Sequence, residues 1–248
     1  MRERTEVQEL LHAGLSCKRS AKPPAETDFK LPWLLNIAYV AALGIAYPWI
    51  AWAAVRHGKR RGGFAEKLLG RVPIRRSKQT CVWLHAVSVG EVNLLGTVIE
   101  ALVARSGELE VVISTTTKTG YALAREKYSA HTVFYCPLDF TWATRRAMQR
   151  IRPALLVLAE LELWPNLVAS ARSHGAKVAV INGRLSDKSF RGYRRIRPLI
   201  VRVLQQIDLI AAQDATTADR FRMLGARPET VHETGSLKFD GAEMDRDN

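Results

Sequence analysis

Apolar residues fall along the 248-residue chain in two different textures. Leu31 to Val55 reads LPWLLNIAYVAALGIAYPWIAWAAV, a run with no charged residue and with Asn36 as its one strongly polar member. At a helical rise of about 1.5 Å per residue, such a run crosses a hydrocarbon core of about 30 Å with some tilt. Trp33, Tyr47, Trp49 and Trp52 lie toward its ends, where amphipathic rings favour the headgroup level. A membrane-anchor helix over 31–55 is therefore expected, lying in the interface instead of spanning if Pro48 kinks it. A cleavable signal peptide is disfavoured, because the run is long, starts late and is followed by no small-residue cleavage site.

From Thr80 onward, short apolar runs alternate with amphipathic stretches. Strands are expected at Cys81–Ala86, Glu110–Ser114, Thr132–Cys136, Ala154–Ala159, Lys177–Ile181, Leu209–Ala212 and Thr230–Glu233. They are rich in β-branched and aliphatic residues without clean alternation, as strands covered on both faces are. Helices are expected between them at Glu91–Arg105, Thr119–Tyr128, Thr141–Arg150, Pro165–His174, Arg191–Gln206 and Ala215–Leu224. This spacing predicts βαβ units with right-handed crossovers, hence an α/β fold: a Rossmann-like doubly wound parallel sheet preceded by the anchor helix. The chain thus divides into a polar arm (1–30), the anchor (31–55), a basic connector (56–79), the α/β domain (80–236) and a short tail (237–248).

Charge adds a partner class. Lys and Arg exceed Asp and Glu by 13, and the sequence pI is about 10.0, which points to a polyanionic partner. Aromatic residues do not interleave with the basic runs and no zinc spacing or RNA-binding segment is present, so nucleic acid is disfavoured against anionic lipid. Arg56, Lys59, Arg60, Arg61, Lys67, Arg71, Arg75 and Arg76 follow the anchor with only Glu66 against them. That asymmetry places everything after Val55 on the cytoplasmic side. Cys17, Cys81 and Cys136 are far apart and lack metal or redox spacing; Cys81 and Cys136 are expected to be buried, unpaired strand residues.

In a doubly wound sheet, ligands bind beyond the carboxyl ends of the strands, so four loops are the candidates for chemistry. The first is His85-Ala86-Val87-Ser88-Val89-Gly90-Glu91, in which Gly90 is expected to permit a tight turn and Glu91 to open a helix. Glu91 is a candidate general base; the plainer alternative is a first-turn carboxylate that complements the helix dipole. The loop lacks the glycine pattern of a dinucleotide or P-loop phosphate cradle. The second, Ser114–Gly120, gathers hydroxyls around Lys118 and suits a phosphate or a sugar, or simply caps a helix through Thr117 or Thr119. The third, Glu160-Leu161-Glu162-Leu163-Trp164-Pro165-Asn166, sets two carboxylates beside an indole that could stack on a sugar. In the fourth, Asn182–Asp187, Arg184 offers a planar fork for carboxylate or phosphate, followed by Arg191, Arg194, Arg195 and Arg197.

Together HAVSVGE, ISTTTKTG, AELELWPN, INGRLSDKS and TGSLKFD resemble, in order, the 3-deoxy-D-manno-octulosonic acid (Kdo) transferases of Gram-negative lipopolysaccharide synthesis. The resemblance runs from about Leu31 to Asp240. It implies the N-terminal domain of a GT-B glycosyltransferase, which binds a lipid A precursor while a second domain binds the donor CMP-Kdo. It also implies an inverting reaction without a bound metal or other cofactor, at the cytoplasmic face of the bacterial inner membrane. By this resemblance Glu91 is the catalytic base, and Ser88, Gly90, Lys118, Glu160, Glu162 and Arg184 bind the acceptor. The basic connector and the Arg191–Arg197 run would meet lipid A phosphates and anionic inner-membrane lipids. The chain departs from the family's pattern at Ala159 and Leu161, where Met and Thr are usual, and at Gly183, where Ala is. It stops soon after Asp240, so residues 237–248 are expected to begin an interdomain linker with the donor-binding half absent. CMP-Kdo would then bind only if a donor domain were supplied. The alternative from another class is a non-catalytic membrane-tethered lipid-binding module, or one half of a split enzyme.

Overall fold

The structure, a computed structural model, describes residues 35–37, 39–41, 44–45, 63–105 and 109–236. Its centre is a seven-stranded sheet in which every neighbouring pair is parallel, in the order β3-β2-β1-β4-β5-β6-β7. The strands are β1 (Thr80–His85), β2 (Leu109–Thr115), β3 (Thr132–Tyr135), β4 (Leu155–Ala159), β5 (Lys177–Gly183), β6 (Leu209–Ala212) and β7 (Val231–Glu233). This bears out the doubly wound parallel α/β sheet. The near-continuous apolar runs have a simple cause: successive residues enter two separate cores. Cys81 and Trp83 of β1 join one face while Val82 and Leu84 join the other, and β4, β5 and β6 divide in the same way.

Helices cover both faces. α2 (Val89–Arg105) and α3 (Lys118–Lys127) supply Leu95, Val98 and Ala124 to one core. α4 (Thr141–Ile151), α5 (Pro165–Ser173), α7 (Arg197–Leu204) and α8 (Ala215–Leu224) supply Met148, Val168, Val203 and Phe221 to the other. The single helix expected over Arg191–Gln206 is in fact two. α6 (Asp187–Arg195) ends before Ile196, and α7 restarts with Pro198 in its first turn, where the missing N–H costs no hydrogen bond. The connector also contains an unexpected short helix, α1 (Phe64–Leu69), bounded by left-handed Gly63 and Gly70. A side chain at Gly70 would strike the Ala143 carbonyl, so α1 lies directly on α4.

The anchor falls largely outside the described residues. Residues 35–37, 39–41 and 44–45 are helical, and among the described residues no helix is long and apolar enough to cross a membrane. Ile37, Val40 and Ile45 are exposed, whereas Asn36 is buried against α4. Its amide accepts from the Thr141 N–H at 3.2 Å and donates to Thr141 Oγ1 at 2.7 Å. The polar arm 1–30 and the tail 237–248 lie outside the described residues.

Part of the connector's charge turns out to be structural. The Arg75 side chain, 8% exposed, donates to the Ile151 carbonyl (2.7 Å), the Gln79 carbonyl (2.8 Å) and Glu110 (3.0 Å). It thereby ties the connector to the end of α4 and to β2. Replacing Arg75 with alanine leaves these acceptors unpaired and should cost about 3 kcal/mol or more in denaturant unfolding. Exposed Arg76, replaced likewise, should shift stability by no more than about 0.5 kcal/mol.

Candidate functional site

The sheet order reverses direction between β1 and β4, and the loops leaving these two strands flank that point. The first brings Glu91 to the rim. Ser88 and Glu91 form a reciprocal capping box: Ser88 Oγ accepts from the Glu91 N–H (3.3 Å), and Glu91 Oε1 accepts from the Ser88 N–H (3.2 Å) and hydroxyl (2.7 Å). Glu91 Oε2 accepts from the Val87 N–H at 2.9 Å. Three of the roughly four acceptor positions of the carboxylate are thus taken. Glu91 is 6% exposed, while Ser88 in front of it is exposed. Gly90 corrects the sequence reading: it sits in the first turn of α2, is absent from the positive-φ glycines, and a Cβ there would meet only Ser88 Oγ at 3.9 Å. The turn therefore does not require glycine; its effect is to leave open space beside Glu91.

The loop after β4 turns at Glu160, whose φ of 55° is in the left-handed region that few non-glycine residues adopt. The Glu160 N–H reaches the Ile181 carbonyl of β5 at 2.9 Å, which fixes the turn. Glu162 Oε2 accepts from Trp164 Nε1 at 2.8 Å. Burial raises the Glu162 carboxyl above the ordinary carboxylate range; the Trp164 bond works against that, and the charges of Glu91 and Glu160 add to it. Glu91, Glu160 and Glu162 therefore form one electrostatic group. Half-buried Tyr193 of α6 belongs to the same neighbourhood, its hydroxyl raised by burial and then by Glu162.

Behind this group lies a buried network. Trp83 Nε1 donates to Ser114 Oγ at 2.7 Å, and Ser114 Oγ lies 2.9 Å from His85 Nδ1. The Ser114 carbonyl lies 3.2 Å from the same nitrogen and can only accept, an assignment that puts the ring proton on Nδ1 and leaves Nε2 bare. His85 Nε2 has no hydrogen-bond partner, and the ring meets Trp164 edge-on at 6.4 Å between centroids. Burial pulls the imidazole down to about 4, so it is neutral near pH 7.

The other two loops contribute differently. Thr117 caps α3 by accepting from the Gly120 N–H (3.1 Å) and donates to the Val87 carbonyl (2.8 Å), locking the second loop to the first. Lys118 opens α3 and is exposed; Arg184 leaves the end of β5 and is exposed. No described contact joins either to the three carboxylates. Lys188, Arg191, Arg194, Arg195 and Arg197 are all exposed. Among the described residues no trio of His, Cys, Asp or Glu is placed to hold a metal ion. Cys81 and Cys136 are buried free thiols, as expected, and burial pushes Cys81 up to about 12.

Asp139 was not singled out in the sequence. It is 4% exposed, on the turn before α4, yet it caps α5: Oδ1 accepts from the Leu167 N–H (2.8 Å) and Oδ2 from the Asn166 N–H (3.1 Å). Pro165 has no N–H, so these are the first free donors of α5. No local spacing signals such a contact, because cap and helix come from different βα units.

Comparison with known proteins adds a lineage. The family model described as 3-deoxy-D-manno-octulosonic-acid transferase (kdotransferase) matches residues 57–241. A 3-deoxy-D-manno-octulosonic acid transferase of Bordetella pertussis is 35% identical over 216 residues, covering 82% of this chain and 50% of that protein. The enzyme of the same name from Chlamydia trachomatis is 27% identical over 212 residues, covering 83% and 49% respectively. A bifunctional glycosyltransferase/methyltransferase of Fusobacterium nucleatum is 37% identical over 161 residues, 64% of this chain and 25% of that protein. The chain spans about half the length of the first two relatives and a quarter of the third.

The Asp139 cap carries a pH signature. Burial raises its carboxyl from 3.8 to about 7, although the Asn166 and Leu167 amides oppose the shift. Below pH 3.8 the folded and unfolded chains are both protonated there. Between pH 3.8 and 7 the folded chain holds a proton that the unfolded chain has lost, so this site's contribution to stability falls as pH rises. Asp139→Asn removes the titration. Its melting temperature relative to the unaltered protein should therefore climb from pH 4 to pH 8; a constant difference would contradict the shift.

Proposed function

The chain belongs to the 3-deoxy-D-manno-octulosonic-acid transferase family, and from that premise we propose that it is the acceptor-binding half of an enzyme that moves Kdo from CMP-Kdo to a lipid A precursor. The observation that carries this reading is the Glu162 carboxyl held by the Trp164 indole beside the β1/β4 reversal, with the charges of Glu91 and Glu160 acting on it. Carboxylates beside an indole face suit a polyhydroxylated sugar: the acids take hydroxyl protons into hydrogen bonds and the ring covers an apolar sugar face.

In this reading Glu91 is the general base. Its capping contacts hold the carboxylate at one place, with an acceptor position left over for a sugar hydroxyl. As that oxygen attacks the anomeric carbon of Kdo, its proton passes to Glu91, and the anomeric bond to CMP breaks on the opposite side with inversion. Glu160 and Glu162, with Ser88 and the space left by Gly90, orient the acceptor. Lys118 and Arg184, beyond the ends of β2 and β5 on either side of the β1/β4 pair, are suited to its phosphates. The donor-binding half is a separate requirement, supplied by a second domain.

The exposed arginines of α6 and α7 fit an anionic bilayer surface, and the uncharged run at 31–55 fits an anchor in the bacterial inner membrane with the α/β domain on the cytoplasmic side.

Two measurements test this reading. Joined to the C-terminal half of a relative, the chain should release CMP in the presence of CMP-Kdo and a lipid A precursor. Glu91→Gln, which keeps a capping acceptor, should lower the rate at least about a hundredfold with little change in acceptor affinity. Full turnover by that variant would remove Glu91 as the base. Separately, replacing Arg191, Arg194 and Arg195 together by Gln should weaken binding to phosphatidylglycerol vesicles and flatten its salt dependence. Unchanged binding would exclude this face as the lipid contact.

A further inference from the structure

Two helices that frame the site begin with residues unable to cap them. Phe140 precedes α4 and Trp164 precedes α5, and neither makes a side-chain cap hydrogen bond. Both caps come from elsewhere in the chain. Asn36 supplies that of α4 and Asp139 that of α5. The two are linked, because Tyr39, three residues after Asn36, donates its hydroxyl to Asp139 Oδ2 at 3.2 Å and sets its ring edge-on to Phe140 at 6.0 Å. Asn36 and Tyr39 are one helical turn apart, so a single face of the N-terminal segment reaches both helix starts, while Ile37, Val40 and Ile45 look outward. Asp139 further accepts, through its backbone carbonyl, from the Asn166 side chain. Asn166 and Leu167 directly follow Glu160–Pro165, the loop with two of the three site carboxylates.

We propose that Tyr39 and Asp139 are positioning residues through which the N-terminal apolar segment sets the Glu160–Trp164 loop, so that seating the segment places the acceptor-binding carboxylates. The segment is then more than a tether. A cap bond holds the first turn of α5 in register, and the loop before it has only a few residues between the β5-anchored turn at Glu160 and that first turn. Removing the Tyr39 hydroxyl takes one of the three donors from Asp139's carboxylate and loosens the cap without emptying a core position. The functional part of this inference rests on the acceptor reading above; the mechanical part does not.

The test uses the full chain in detergent micelles with Tyr39→Phe, Asp139→Asn and the double variant. Amide hydrogen exchange at Asn166, Leu167 and the 160–164 segment should quicken about three- to tenfold in each single variant, with β1 and β2 unchanged. The double variant should exchange no faster than Asp139→Asn alone, since both act through one carboxylate. Loop exchange unchanged in Tyr39→Phe, or quickened equally across the sheet, would overturn the coupling. In parallel, affinity for a lipid A precursor should fall about threefold or more in Tyr39→Phe. Unchanged affinity in a variant with faster loop exchange would overturn the link to acceptor binding. Failure of the unaltered chain to bind that lipid would instead count against the acceptor reading, and the exchange data would still decide the coupling.

Discussion

Every helix that follows a strand in this sheet begins at the same rim, because all seven strands run parallel. The first turn of an α-helix has N–H groups without helical partners and the positive end of its dipole. A parallel sheet gathers these unsatisfied ends along one edge, and each must find an oxygen. Ser88 and Glu91 serve α2, Thr117 serves α3, Ser186 serves α6 and Asp214 serves α8, all from within a few residues. Among the described residues, α4 and α5 alone draw on distant ones. The concentration of hydroxyls and carboxylates on this rim is thus first a consequence of the architecture.

That constraint bears on how Glu91 is to be understood. Its capping role and its proposed role as base share one cause, since donors that close the helix end also keep the carboxylate fixed and desolvated. Glu162 is a different kind of acid: it accepts from the Trp164 indole instead of a helix end, and is raised by burial and by its acidic neighbours. Hydroxyl donors suit such an acid, in keeping with the sugar acceptor proposed above. The cations lie elsewhere, on Lys118, Arg184 and the exposed side of α6, where phosphate and headgroup charge would be met.

Several features were legible from the order of residues. Ser88-Val89-Gly90-Glu91 has the spacing of a capping box, and Trp164-Pro165 marks a helix start. The strands could be placed because β-branched runs of that length recur between amphipathic segments. The interruption at Ile196 was written in Pro198, and α1 in the glycines at 63 and 70, but both are short signals easily outweighed by the longer pattern around them. Gly90 misled for the opposite reason: glycine often marks a positive φ, and here it marks space.

By itself the sequence determined the α/β class, the parallel sheet, the segments at its carboxyl rim and the resemblance that links them to Kdo transfer. Each of these depends on periodicity or on residues within one turn of each other. Tertiary structure decided which loops meet, that Arg75 is a buried strut and not a surface charge, and that Asn36 is a helix cap. It also decided that Asp139, between two other elements, joins the start of α5 to the N-terminal segment. Those contacts join residues up to 105 positions apart. Hydrogen-bond geometry at that separation is set by how helices pack across the sheet, and leaves no periodic trace along the chain.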